Sequence, residues 1–300
     1  MNSCSQFEFP TNSLVITSRG AKSRGWLDYI KIHNHTVFDS VEPNPSIDTV
    51  EKIISEVGRN FATVIGIGGG SSLDVAKYVG FKLNKPKILV PTTFGSGSEV
   101  TRISVLKVDG KKTSFHDDLL LADVAIVDPF FIKSAPKEVI KNSAIDACAQ
   151  CTEAYDSKLA NIFTKFLCMK AFDILEKAIL DEHYEDLAYG AMLSGLGFGN
   201  SSTTLGHALS YVFSNEGFSH GHALAFTTTV AHKFNNSQFY ERFKTLTNKL
   251  RFEPIYLKQD LHEAAEIIQL DRKHLDYNPT RVSNADIVSL LEIINSKHVF

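Results

Sequence analysis

The stretch VIGIGGGSSLDVAK, residues 64–77, decides the fold of the N-terminal half of the chain. Its apolar start is typical of a buried strand, and it runs into Gly68, Gly69 and Gly70 and then into a helix opened by Ser71. Glycines let the backbone approach a ligand closely, and a helix N-terminus directs unpaired N–H groups and a partial positive charge toward it. The stretch therefore predicts a diphosphate site. A tight strand-to-helix turn without a ligand is the alternative.

The residues on either side of this stretch repeat the same strand-and-helix pattern. Apolar or β-branched runs at residues 13–17, 63–67, 87–90 and 124–127 are separated by helical segments, which favours a parallel sheet. Asp109-Gly110 lies between two short extended runs in residues 103–115 and predicts a hairpin. A second loop, PTTFGSGSE at residues 91–99, follows the strand KILV. Because ligands in such sheets bind beyond the carboxyl ends of the strands, this loop supports the same site.

After Asp128-Pro129 the hydrophobic pattern changes from one that alternates strands and helices to one that is almost entirely helical. Helical periodicity dominates residues 138–155, 163–180 and 187–199, and further helices are expected up to Lys297. We therefore predict two domains, an α/β domain at residues 1–133 and a helical domain at residues 134–300, with the boundary near residues 132–136.

Composition excludes several classes of protein. The 300 residues carry 31 Lys+Arg and 34 Asp+Glu, a net charge of -3, so the chain shows no electrostatic footprint for nucleic acid or anionic lipid. It has no apolar run of about 18 residues and its start does not resemble a signal peptide, so we expect a cytoplasmic protein. Four cysteines are too few for a disulfide framework and are expected to be reduced.

The helical half contains a candidate metal site. Asp146 and Gln150 lie four residues apart and so share one helix face, and His207, His220 and His222 follow. A carboxylate with imidazoles suits a divalent metal such as Fe, Zn or Mn. The alternative is a solvated Asp146 with histidines that form loop hydrogen bonds. The pair Cys148 and Cys151 lacks a second cysteine pair and is predicted to belong to the core.

These motifs resemble those of the iron-containing (group III) alcohol dehydrogenases. The resemblance rests on GGGSSLDVAK, PTTFGSGSEVT, DVAIVDP, the D-A-x-x-Q-x-x-E-A-Y segment from Asp146, and HALSY…SHGHALA from His207, which occur in the family's order. It implies an α/β plus all-α architecture, in which a Rossmann-like dinucleotide-binding domain precedes an all-helical metal-binding domain, as in dehydroquinate synthase. It also implies a homodimer or higher homo-oligomer that acts on a small aldehyde or alcohol.

The resemblance assigns a ligand set for one divalent metal, Fe2+ or Zn2+. Asp146, His207 and His220 match family ligands, whereas Gln150 stands where most members have histidine. Tyr211 stands where many members have a further active-site histidine. These departures resemble the branch that reduces phosphonoacetaldehyde to 2-hydroxyethylphosphonate.

The resemblance also assigns roles to other residues. His222, which we favour, or Tyr211 would relay a proton to the alkoxide. Arg102 would anchor a phosphonate, with an ordinary surface arginine as the alternative. Ser18 stands where members that prefer NAD commonly have an acidic residue, and the basic residues behind it favour NADPH over NADH; an exposed basic loop is the alternative. The residues predicted to contact the dinucleotide are Ser18, Gly68, Gly69, Gly70, Ser71, Asp74, Thr92, Thr93, Ser96 and Lys112, the last near the nicotinamide end.

Two other functions are compatible with these motifs. The same scaffold serves polyol and polyol-phosphate dehydrogenases, although the pattern around Gln150 argues against them. The chain is also shorter than usual for the family and lacks the strand and FG-type turn that normally precede the first nucleotide-binding strand. A shortened paralogue that binds nucleotide without catalysis is therefore a further alternative.

Overall fold

The computed structural model describes residues 3–133 and 135–296. The chain divides into two compact units, residues 1–135 and residues 136–300. Within the described residues no helix is both long and apolar enough to cross a membrane. The predicted end of the last helix, Lys297, lies outside the described residues.

A five-stranded parallel sheet forms the centre of the first unit. Its strands are β1 (Ser13–Ile16), β2 (His35–Phe38), β3 (Thr63–Gly68), β4 (Lys87–Pro91) and β7 (Val124–Ala125), in the order β2-β1-β3-β4-β7. The helices are α1 (Ser3–Gln6), α2 (Gly20–Ser23), α3 (Trp26–Ile30), α4 (Ile47–Val57) and α5 (Gly70–Leu83). The predicted parallel sheet is thus confirmed.

Apolar side chains cover both faces of this sheet. Leu14 and Ile16 of β1 belong to one buried cluster, and Val15 between them belongs to another. Burial on both faces explains why such strands have continuous apolar sequences rather than alternating ones. β2 was not predicted because it is an edge strand, in which only Phe38 is buried.

The predicted hairpin is confirmed as β5 (Ile103–Val108) paired antiparallel with β6 (Lys111–His116). Its two turn residues, Asp109 and Gly110, have φ values of 51° and 76°, as a type I′ turn requires. Leu106 of β5 enters the core cluster beneath the hairpin, so the hairpin packs on the unit rather than projecting from it.

The second unit contains helices and connecting loops, with no strand among its described residues. Its helices are α6 (Lys137–Asp156), α7 (Ile162–Asp181), α8 (Tyr184–Gly199), α9 (Leu205–Asn215), α10 (His220–Phe234), α11 (Tyr240–Leu250), α12 (Leu261–Gln269), α13 (Arg272–Tyr277) and α14 (Asn284–Asn295). The three helices predicted with bounds agree with α6, α7 and α8 within about a turn. α6 packs against α7, α8 and α10, and its Cys148 and Cys151 are fully buried free thiols, as predicted.

Candidate functional site: a glycine loop and a metal cluster

The glycine loop joins β3 to α5 and packs directly against the loop after β4. Gly68 has a φ of 154°, and a Cβ at this position would lie 2.6 Å from the Ser72 hydroxyl. A Cβ at Gly69 would lie 3.0 Å from Thr93 Oγ1, and one at Gly70 would lie 2.9 Å from Ser96 Cβ. The two predicted loops are therefore adjacent, and their contact requires glycine on one side.

The N-terminus of α5 has no side-chain cap. Gly69 is the N-cap residue, and the first turn contains no acidic side chain. The first N–H groups of a helix lack partners within the helix, so an uncapped terminus opened by glycines is suited to an anion. The Thr92 N–H donates to the Gly68 carbonyl at 2.9 Å, which fixes the second loop beside this terminus.

A third segment, which sequence reasoning missed, reaches the same place. The N–H of Asn44, in the loop after β2, donates to Ser71 Oγ at 3.3 Å. Asn44 has a φ of 51°, a conformation that asparagine tolerates better than most residues. The sequence signal was the turn-forming PNP at residues 43–45.

Asp74 of α5 belongs to an internal network. Its Oδ1 accepts from Ser98 Oγ at 2.6 Å, and its Oδ2 accepts from the Val105 N–H at 3.1 Å. Lys77, fully buried one turn later, donates to the Ser98 carbonyl at 2.8 Å. Burial also raises the pKa of the neighbouring Glu99 to about 7. In this structure Asp74 fixes the hairpin and the second loop, and its predicted contact with a dinucleotide stays a prediction.

Ser18, Arg24 and Lys112, which the sequence placed near the dinucleotide, lie in different parts of the first unit. Ser18 is half-buried just beyond β1, and the guanidinium of Arg24 folds back over Gly20 and lies 5.0 Å from the Trp26 ring. Lys112 is exposed on β6, where burial of part of its surface and the charge of Lys107 lower its pKa.

Arg102, the predicted phosphonate anchor, already has a partner. Its Nη1 donates to Asp118 Oδ1 at 2.9 Å on an exposed part of the surface. A guanidinium that is half exposed and ion-paired is a weak anchor for a substrate, because binding would have to break the existing pair.

The second unit brings Asp146, His207 and His220 together. Each offers one ligand atom, and these atoms lie within 4.8 Å of one another. The Nε2 atoms of His207 and His220 are both 3.8 Å from Asp146 Oδ1. Gln150, one turn after Asp146, donates from Nε2 to the same Oδ1 at 3.0 Å. All four predicted ligands therefore form one cluster.

A buried carboxylate that sequence reasoning missed orients His207. Glu153 Oε2 accepts from His207 Nδ1 at 3.1 Å and from the Thr204 N–H at 2.6 Å, while Oε1 accepts from Thr228 Oγ1 at 3.1 Å. Because a carboxylate can only accept, the neutral imidazole of His207 carries its proton on Nδ1 and has its lone pair on Nε2, the form that binds a metal. The signal was spacing: Glu153 follows Asp146 by seven residues and lies on the same helix face.

Electrostatics link these two residues strongly. Burial opposes ionisation of Glu153, yet His207 and the hydrogen bonds from Thr204 hold the pKa of Glu153 at about 2. Burial likewise disfavours the charged form of His207, but Glu153 and Asp146 raise the pKa of His207 to about 9. The two carboxylates that raise the pKa of His207 would also favour a bound cation.

Two glycines allow the helices around the cluster to approach closely. A Cβ at Gly206 would lie 1.9 Å from Glu153 Oε1, and a Cβ at Gly221 would lie 2.0 Å from the Asn142 carbonyl oxygen. Gly206 precedes His207 and Gly221 follows His220. Larger residues at either position would displace α9 or α10, and with it a candidate ligand.

The two candidate proton-relay residues occupy different places. The Tyr211 ring stacks near His220, with centroids 6.3 Å apart and planes inclined by 15°. His222 is not brought to the cluster: its Nε2 donates to the Glu253 carbonyl at 2.5 Å, and its ring packs against Phe252. Residues two apart on a helix point about 200° away from each other, so His220 and His222 cannot share a face. The relay role of Tyr211 stays a prediction, and the geometry does not support that of His222.

The cluster fits a divalent metal. Gln150 Oε1 is buried and has no hydrogen-bond partner among the described residues, although it lies on an amide whose nitrogen is already bonded to Asp146. Buried acceptors are rarely left unpaired, so this oxygen marks a position where a cation is expected. A carboxylate, an amide oxygen and two imidazoles form a donor set suited to Zn2+, Fe2+ or Mn2+.

The fold and the cluster define a protein with a Rossmann-like α/β unit and a helical unit that carries a candidate metal site. Comparison with known families gives a match to the iron-containing alcohol dehydrogenase model over residues 2–129 and to the C-terminal model of the Fe-containing alcohol dehydrogenase family over residues 140–273. The chain belongs to the iron-containing alcohol dehydrogenase family.

Individual relatives agree with this assignment. The chain is 38% identical over 205 residues to long-chain-alcohol dehydrogenase 1 of Geobacillus thermodenitrificans. This alignment covers 58% of this chain and 52% of that protein. It is 33% identical over 235 residues to 4-hydroxybutyrate dehydrogenase of Clostridium kluyveri. That alignment covers 68% of this chain and 60% of the enzyme. The chain thus spans between half and two thirds of the length of these relatives.

A solved structure matches over more of its length. Sulfoacetaldehyde reductase from Bifidobacterium kashiwanohense, in complex with NAD+, superposes with a TM-score of 0.86 at 22% identity, covering 95% of this chain and 91% of that chain. The predicted family and the predicted two-part architecture are therefore confirmed. The phosphonoacetaldehyde branch stays a prediction.

Proposed function

We propose that this chain is a metal-dependent, NAD(P)H-linked alcohol dehydrogenase that reduces a small aldehyde. The observation that carries the proposal is the cluster of Asp146, Gln150, His207 and His220, in which the buried Gln150 Oε1 has no hydrogen-bond partner among the described residues. Family membership and the uncapped, glycine-opened helix α5 support it. When bound, a divalent metal polarises a carbonyl oxygen and a reduced nicotinamide supplies hydride.

The residues of this chain would contribute binding and orientation. Gly69, Gly70 and Ser71 would hold a diphosphate through backbone N–H groups, with Thr93 and Ser96 beside them. Glu153 keeps His207 in the tautomer that presents Nε2. Tyr211, stacked on His220, would offer its hydroxyl to the substrate or to the alkoxide formed from it.

A metal analysis combined with a substrate panel tests the proposal. We expect one divalent metal per chain after loading, and metal-dependent oxidation of NADPH or NADH by aldehydes. The double variant His207→Ala/His220→Ala should lose both. His262→Ala, which removes an exposed histidine of α12, is the matched control and should lose neither. Equal metal content in the double variant and the wild type would contradict the site.

Within this function we further propose phosphonoacetaldehyde as the substrate and NADPH as the preferred cofactor. The combination of Gln150 and Tyr211 supports the first, as does the similar fold of a sulfoacetaldehyde reductase, whose substrate likewise joins an aldehyde to an anionic group. Ser18 with the basic residues behind it supports the second. A remote anionic group would provide binding energy that orients the carbonyl, so kcat/KM should be higher for phosphonoacetaldehyde than for propanal.

The role of Arg102 is tested in the same assay. If it anchors the phosphonate, Arg102→Ala lowers kcat/KM for phosphonoacetaldehyde by about 1.5–3 kcal/mol and barely affects propanal. An equal effect on both substrates would assign Arg102 to its pair with Asp118 alone. A preference of the wild type for propanal would refute the phosphonate proposal and leave the broader one standing.

A further inference from the structure

The short helix α13 is fixed against the start of α9 by one buried asparagine. Asn278 Oδ1 accepts from the Leu205 N–H at 3.4 Å and from Asn235 Nδ2 at 2.8 Å, and its Nδ2 donates to Asn235 Oδ1 at 2.8 Å. Asn278 is fully buried, so these hydrogen bonds are shielded from water. The side chains of α13 are therefore held in a defined position relative to His207 on α9.

α13 carries a second pairing of a carboxylate with a histidine. His274 Nδ1 lies 2.6 Å from Asp271 Oδ2, and His274 is only 8% exposed. Its ring lies nearly parallel to the His207 ring, with centroids 6.2 Å apart and planes inclined by 16°, and 5.9 Å from the Tyr211 ring. His274 thus lies beside the metal cluster without belonging to the group of ligand atoms within 4.8 Å of one another.

The hydrogen bond to Asp271 determines what His274 can offer. Since a carboxylate accepts, the neutral imidazole carries its proton on Nδ1 and exposes a lone pair on Nε2. No described residue bonds to that nitrogen. The Tyr211 ring lies 5.9 Å from the His274 ring, and its hydroxyl can donate a hydrogen bond. A donor and an acceptor on neighbouring rings can together recognise a group that both donates and accepts, and a hydroxyl is the smallest such group.

We propose that His274, together with Tyr211, forms a specificity site that binds a hydroxyl group on the substrate, remote from the carbonyl. This inference rests on the proposed function and names the chemistry that the site selects. The hydroxyl can belong to an alcohol or to the P–O–H of a singly protonated phosphonate. A sulfonate of the same shape has no such proton and cannot donate to Nε2.

Two matched substrate pairs distinguish these sources. 3-Hydroxypropanal and propanal differ by an alcohol hydroxyl. At pH 7, where part of the phosphonate is singly protonated, phosphonoacetaldehyde and sulfoacetaldehyde differ by the P–O–H proton. The wild type should favour the hydroxyl-bearing member of at least one pair. In His274→Phe, which keeps a ring but removes the acceptor, the ratio of kcat/KM within that pair should fall about three- to tenfold, the value of one neutral hydrogen bond.

Two further variants separate recognition from structure. His274→Gln restores an acceptor and should recover part of the lost ratio, which a purely structural role would not allow. His262→Phe on α12 should leave the ratio unchanged. Calorimetry of the zinc-loaded protein gives a readout that is independent of turnover. It compares the Kd for 2-hydroxyethylphosphonate with that for 2-hydroxyethylsulfonate, and the Kd for 1,3-propanediol with that for 1-propanol.

The outcomes keep the two proposals apart. If no aldehyde oxidises NADPH or NADH in the wild type, the proposed function fails, and the calorimetric ratios still decide the role of His274. If the wild type turns over but both ratios are the same in wild type, His274→Phe and His274→Gln, the specificity site is overturned while the dehydrogenase proposal stands.

Discussion

The substitution Glu153→Gln should weaken the metal-free helical unit, because it removes the charge behind His207 while keeping the shape of the side chain. Despite burial, the two residues hold the pKa of Glu153 at about 2 instead of 4.5 and that of His207 at about 9 instead of 6.5. Either difference corresponds to about 3 kcal/mol. Since the folded pKa of Glu153 lies below its usual value, this stabilisation develops as the pH rises from 2 to 4.5. Because it depends on the charged form of His207, whose pKa is raised, it is lost again as the pH rises from 6.5 through 9. At pH 7 we expect the variant to lose about 2–3 kcal/mol of unfolding free energy in urea titrations.

The same substitution should lower metal affinity. Carboxylates that orient a ligating histidine typically contribute 10- to 100-fold to affinity, or about 1.4–2.7 kcal/mol. Competition for Zn2+ against a chromogenic chelator measures the change. Glu138→Gln, at an exposed position on the same helix, is the matched control and should behave like the wild type. If Glu153→Gln binds Zn2+ within about twofold of the wild type, Glu153 does not orient a ligand.

Four other substitutions have defined outcomes. Ser18→Asp should shift the ratio of kcat/KM from NADPH toward NADH, because a carboxylate repels a 2′-phosphate and accepts from a 2′-hydroxyl; an unchanged ratio would remove Ser18 from cofactor choice. Gln150→His should raise Zn2+ affinity about tenfold in the chelator assay, since imidazole is the softer ligand, and a fall would contradict an amide ligand. Burial lowers the pKa of His232 from 6.5 to about 4 and raises that of Asp156 from 3.8 to about 6. Between about pH 4 and 6 the effect of His232 is to raise the free energy of unfolding by about 1.4 kcal/mol per pH unit as the pH rises, and the effect of Asp156 is to lower it by about the same amount. In the wild type these two pH dependences nearly cancel. In urea titrations over that range His232→Gln should lose stability as the pH rises and Asp156→Asn should gain it; parallel curves for both variants and the wild type would refute the assignment.

The parts of the fold that could be predicted are those in which a short run of residues is compatible with only one local structure. The run VIGIG could be recognised because β3 is buried on both faces, and Asp109-Gly110 because few residues accept the positive φ values of a type I′ turn. β2 has no such pattern, since only its last residue is buried and its outer edge has no partner strand among the described residues. Edge strands are specified mainly by the neighbour on which they form, which a local sequence window does not contain.

In the candidate site, too, contacts within one helix could be predicted from the sequence, whereas contacts between distant segments could not. Asp146 and Gln150 could be paired from helical spacing alone, because both lie on α6. The structure places His222 and His220 in different surroundings, because residues two apart on a helix point in nearly opposite directions. The Asp271–His274 pair could not be placed beside His207 at all, since the contact depends on how Asn278 fixes α13 against α9.

Hydrogen-bond satisfaction, rather than residue type, separates the candidate ligands on α6 from the residue that orients one. Asp146, Gln150 and Glu153 share one helix face and all offer oxygen atoms. Both oxygens of Glu153 accept hydrogen bonds from residues of the same unit, one of them from the candidate ligand His207. Gln150 donates from its nitrogen to Asp146, and its buried Oε1 has no hydrogen-bond partner among the described residues, an arrangement that costs about 1–3 kcal/mol unless something binds there. The amide of Gln150 therefore supports the proposed metal site in two ways, because its nitrogen fixes the Asp146 carboxylate while its oxygen stays available to a cation.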